Sequence, residues 1–108
     1  MEEKKIQVVK VDEGIRDVVE MYDYEYSTRR DAVTFMITNN MDISTDAFKT
    51  YQKEMIEFSA QFAKAKAEVE KKYVLPISNG ARVNWVLDYE TAELTITFLD
   101  WLRGKDNR

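Results

Sequence analysis

Neither cysteine nor histidine occurs among the 108 residues. That excludes disulfides, thiol redox chemistry and zinc sites of the Cys/His type. It also excludes Ser-His-Asp and Cys-His nucleophiles and imidazole acid–base catalysis. Glycine is nearly as scarce, and Gly14, Gly80 and Gly104 lie too far apart for a phosphate-cradling loop or a dinucleotide fingerprint. No window approaches the ~18 uncharged apolar residues that would span a membrane. The start, MEEKKIQVVKV, has charges but no apolar stretch of signal-peptide length, so a cytoplasmic, non-membrane protein is expected.

Apolar residues make up 44% of the chain and aromatics 12%, enough to build a core at this length despite 33% charge. Single domains usually run to ~100–150 residues, and neither a repeat nor a linker interrupts the pattern, so one domain over 1–108 is expected. Net charge is −4, which argues against direct nucleic-acid binding. The acids gather in two stretches, Asp12 to Glu25 and Asp88 to Asp100.

Residues 5–11 are rich in β-branched side chains and read as a short edge strand, with Ile6 and Val8 on one face and Val9 and Val11 on the other. Asp12 is a good N-cap for a helix over 13–37. Its apolar stripe is Ile15, Val19, Tyr22, Tyr26, Val33 and Met36, interrupted by Arg29. Asn39-Asn40 tolerates left-handed backbone and ends it. Ser44 or Thr45 caps a second helix over 45–73, whose stripe is Phe48, Tyr51, Met55, Phe58, Phe62, Ala65 and Val69. The short connection makes the two helices antiparallel. Phe62 lies at the middle of that core spine, so its truncation to Ala is expected to cost about 3–5 kcal/mol, the usual range for a buried Phe.

The second helix carries another apolar stripe, Ile56, Ala60, Ala63, Ala67 and Val74, roughly 120° round from the first at 100° per residue. Two apolar sides predict that this helix lies between the first helix and a further layer. Pro76 and Asn79-Gly80 should end the helical region. The stretch 82–99 then alternates as a β-hairpin, with Asp88 placed to accept hydrogen bonds from amides in the turn ahead of it. A polar tail occupies 103–108. The expected fold is therefore α+β: an antiparallel two-helix hairpin packed on a small antiparallel β-sheet, with strand 5–11 available as a third strand.

Three groups of residues bear on function. Placed at 100° intervals, Asp17, Glu20, Tyr24, Asp31 and Phe35 share the face of the first helix opposite its apolar stripe. Aromatic anchors in a carboxylate surround suit a partner protein with a basic or mixed surface. Arg29, inside the seam, must snorkel or pair, and Glu54 and Glu57 are within reach on the second helix. Asp88, Glu90 and Glu93 could hold a hard cation, but they lack calcium-loop spacing, so neither a metal nor a cofactor is expected. Catalysis would rest on Asp, Glu, Lys or Tyr without a visible cleft, and the chain does not read as an enzyme.

The order strand, helix, Asn-rich loop, long aromatic helix and hairpin, with Asn79-Gly80, Trp85, Asp88 and Thr91 at its end, resembles the small accessory proteins of CXXX-repeat peptide modification systems of Gram-positive bacteria. The likeness covers most of 13–98 in layout. It implies an accessory or substrate-handling role beside a modifying enzyme and carries no catalytic residues with it. The residues themselves read as a small acidic protein-binding module, an adaptor or accessory factor. The alternative is a mobile-element-type inhibitor that mimics nucleic acid, as some anti-CRISPR proteins do, and blocks the basic channel of a host nuclease. The heptad-like spacing and the edge strand 5–11 also leave a homodimer open.

Overall fold

The computed structural model describes residues 5–99. Its elements run β1 (Lys5–Lys10), α1 (Glu13–Thr38), α2 (Asp46–Val69), a π-helical turn (Glu70–Val74), α3 (Leu75–Ser78), β2 (Val83–Asp88) and β3 (Glu93–Phe98). This is an α+β fold with a helical hairpin and a C-terminal β-hairpin. The chain divides into two compact units, one holding residues 5–17 and 67–99, the other 18–66. The tail 103–108 lies outside the described residues.

The first unit holds a three-stranded antiparallel sheet in the order β1-β3-β2. Strand 5–11 thus joins the hairpin, pairing Val8 with Thr95 and Val9 with Leu94, while β2 pairs Trp85 with Ile96 on the other side. Because β3 is central, its inward row of Leu94, Ile96 and Phe98 is buried together with Val11, Val69, Val74 and Ala92. Ile6 and Val8, by contrast, are exposed on the opposite face of the sheet. Asp88 shapes the turn as expected: its Oδ1 accepts from Glu90 N at 2.8 Å and Thr91 N at 3.3 Å. Ala92 closes the turn at φ 61°, a left-handed conformation rare for a residue with a Cβ.

The helical region continues past Tyr73, where the sequence had suggested its end, to Ser78. Pro76 is accommodated because it falls in the first turn of α3, where its missing N–H is not needed. The π-helical turn precedes it, and Leu75 N donates to Glu70 O, five residues back. In an unbroken α-helix, positions five apart lie about 140° apart round the axis. The wider turn brings Val69 and Val74 into the same core. Asn79, at φ 50°, then ends the helix.

The second unit is the helical hairpin. Asp12 of the first unit caps α1, accepting from Gly14 N at 2.9 Å and Ile15 N at 3.2 Å. Thr45 rather than Ser44 caps α2, its Oγ1 accepting from Phe48 N at 3.2 Å. Between the helices Asn40 takes φ 55°, and Asp42 accepts from Ser44 N at 2.9 Å and Ser44 Oγ at 2.6 Å. Those bonds hold the Asp42 carboxyl below its ordinary value. Within the seam Tyr22 meets Phe58 at 6.4 Å between ring centroids, and Tyr26 stacks on Phe62 at 6.1 Å.

Two expectations need correcting here. Phe62 is half-buried, not fully enclosed. Ile56, Ala60, Ala63 and Ala67 are exposed, Ile56 by 60%, so among the described residues the second stripe of α2 stays uncovered; Val74 alone of that stripe is buried. Inside its unit α2 has one neighbouring element, α1, and a helix with one neighbour buries one side. No helix among the described residues is long and apolar enough to cross a membrane.

Candidate functional site

The side of α1 turned away from the aromatic seam is built by helical geometry alone. Val19 and Val33 are buried and Tyr22 and Tyr26 half-buried, which fixes the inward side. Positions 20, 24, 31 and 35 fall opposite, at about 100° per residue. Tyr24 is 65% exposed and Phe35 61% exposed, so neither aromatic is used to fold the chain. Glu20 and Asp31 are exposed beside them. Asp31 Oδ1 lies 3.3 Å from Arg30 Nη2, and Glu20 has no ion pair among the described residues. Asp17 is exposed too, but it belongs to the first unit and is engaged by Arg16 at 2.7 Å. The site in the hairpin unit is therefore Glu20, Tyr24, Asp31 and Phe35.

Sequence reasoning did not single out three further exposed apolar residues near the loop end of the hairpin. Ile37, Met41 and Ile43 are all exposed, close to Phe35 along the chain and around the inter-helix loop. The signal was present: Met41 and Ile43 are apolar, yet they sit between Asn40 and the Thr45 cap, in a segment too short to bury them.

Arg29 serves the hairpin rather than a ligand. Its Nε donates to Glu54 Oε1 at 3.1 Å, its Nη1 donates to Glu25, and its guanidinium stands 4.9 Å from the Phe58 ring centroid. The hydrogen bond to Glu54 is the main reason its pKa is raised above the ordinary arginine value. Glu57, the other candidate partner, stays exposed. A guanidinium held by two carboxylates and an aromatic face has little left for an outside anion.

Of the acids near the β-hairpin, Asp88 has a structural role. Asp88 is committed to turn amides, and no group of three or more metal-ligating side chains that could hold an ion occurs among the described residues. No buried side-chain nitrogen or oxygen among the described residues lacks a hydrogen-bond partner. In comparison with known proteins, the chain matches no family model, no curated protein and no solved structure. Function therefore has to be argued from the surface of α1.

Proposed function

We propose that this chain is a non-enzymatic protein-binding module that uses the outer surface of α1. The observation supporting it is the exposure of Tyr24 and Phe35, two large aromatics on one helix face that the fold leaves in water. Aromatic residues of this kind supply most of the energy at protein interfaces, and surrounding carboxylates mainly set the encounter rate. The partner is a protein with an apolar recess bordered by Lys or Arg. An accessory role beside a modifying enzyme accords with the resemblance drawn from Asn79-Gly80, Trp85, Asp88 and Thr91.

The test uses the partner recovered from the source cell. Tyr24→Ala and Phe35→Ala should each weaken its binding by at least about thirtyfold, the equivalent of ~2 kcal/mol, while thermal unfolding is unchanged. Replacing Glu20 with Lys should slow association, most clearly at low salt. Affinity that ignores both aromatics and collapses steeply with salt would instead favour the phosphate-mimicking inhibitor.

A further inference from the structure

Among the described residues β1 and β2 each pair with β3 alone and form the two edges of the sheet in the first unit, and these edges are not equivalent. Leu99 N donates to Arg82 O at 2.9 Å, which sets the alternation along β2. Asn84, Val86 and Asp88 therefore direct their amides and carbonyls at β3, and Val83, Trp85 and Leu87 direct theirs at the open edge.

Edge strands usually carry something that discourages pairing, lysine above all. β1 has Lys5 and Lys10 at its ends, and its inward positions Lys5 and Gln7 are polar and exposed. β2 has no charge before Asp88. Its inward row, Val83, Trp85 and Leu87, is apolar and only half-buried, whereas the neighbouring row on β3 is buried. On the other face Val86 is 69% exposed and sits beside Thr95, which pairs in turn with the exposed Val8.

We propose that β2 is a self-association edge, pairing antiparallel with β2 of a second copy about a two-fold axis at Val86. In that register Val86 opposes Val86 of the second copy at a closely spaced, non-hydrogen-bonded position, where β-branched pairs pack well. Trp85 opposes Leu87 of the second copy, extending the apolar inward row of each sheet. Trp85 and Leu87 also make the main-chain bonds. The polar positions match as well: Asn84 falls opposite Asp88, and Arg82 opposite Glu90, so no like charges meet. Centring the axis on Trp85 instead would place the two indoles face to face and set Val86 against Asn84. The result is a six-stranded sheet with an outer row of Val8, Thr95 and Val86 continued across the axis, and an isologous contact that closes at two copies.

Sedimentation of the full chain between about 5 and 300 µM should show the mass rising from monomer to dimer and no further. Val86→Lys, at an outward and exposed position, should leave thermal unfolding of the dilute monomer unchanged and lower the association constant at least about tenfold, because two ammonium groups then face each other. Cross-linking reads the register directly, since the chain has no cysteine of its own. Val86→Cys should form a covalent dimer under mild oxidation much faster than Val8→Cys on the other edge. A wild-type chain that stays monomeric over the whole range overturns the proposal. So does Val8→Cys cross-linking as fast as Val86→Cys.

Discussion

The two units of this chain solve the same problem with unequal success. In the sheet unit a central strand has a neighbour on each side and helical residues over its inward face, and Leu94 and Ile96 are wholly excluded from water. In the hairpin unit each helix has one neighbour, and the seam aromatics Tyr22, Tyr26, Phe58 and Phe62 are half-buried although their spacing is regular. Pattern decides which side of an element turns inward. The number of neighbours decides how far inside it goes. The more weakly buried unit is also the one that leaves Tyr24 and Phe35 in solvent, which is how a binding surface and a shallow core come to share one hairpin.

That contrast can be broken by mutation. Ile96→Ala should be the most damaging, costing about 2–5 kcal/mol in chemical denaturation, since the cavity opens inside a closed core. Phe62→Ala should cost less, about 1–3 kcal/mol, below the ~3–5 of an enclosed Phe, because water can reach the vacated space. If the two losses are equal, the units do not differ in the way described. Thr45→Ala removes the α2 cap and should cost about 1 kcal/mol. Native-state hydrogen exchange should show it as faster exchange in the first turn of α2 with β3 amides unaffected.

The smallest effect sharpens the comparison by acting in one loop. Asp42 has a folded pKa below its ordinary 3.8, so its bonds to Ser44 stabilise the protein at every pH above that value. The contribution fades as pH falls through the lower, folded value. Asp42→Ala should therefore be mildly destabilising at neutral pH and indistinguishable from wild type in strong acid, with the difference confined to the inter-helix loop.

Much of this architecture was legible in advance where one residue type does one local job. Asp12, Thr45 and Asp88 cap or turn the chain through bonds between neighbours, and Asn40 and Asn79 stop helices by their own backbone tolerance. Arg29 announced a partner because a charge inside an aromatic seam requires one, though spacing could not choose Glu54 over Glu57. The outward placement of Tyr24 and Phe35 also followed from periodicity. What stayed hidden depends on counting neighbours or on longer-range packing. Both faces of the stretch 5–11 carry β-branched residues, so nothing local told Val11, buried, from Val8, exposed. The stripe Ile56, Ala60, Ala63 suggested a covering layer that the described residues do not supply. The π-helical turn had no compositional cue, because Pro76 marks a helix end in one context and a helix start in another.

The π-helical turn also bears on which length changes the chain tolerates. Glu70–Val74 holds one residue more than the corresponding stretch of α-helix would need. Deleting a residue there would restore a regular helix and improve its hydrogen-bond ladder, yet everything downstream would rotate by about 100°. Val74 and Ser78 would swing out of the core, and β2 would enter the sheet from the wrong bearing. A gap that the loop at Asn39–Thr45 could absorb as a change in slack would here be read as a frameshift in three dimensions. Within the sheet unit the turn sets the phase between Val69 and the residues from Val74 onward. Descendants of this sequence should vary in length in the inter-helix loop at Asn39–Thr45 before they do so between Val69 and Leu75.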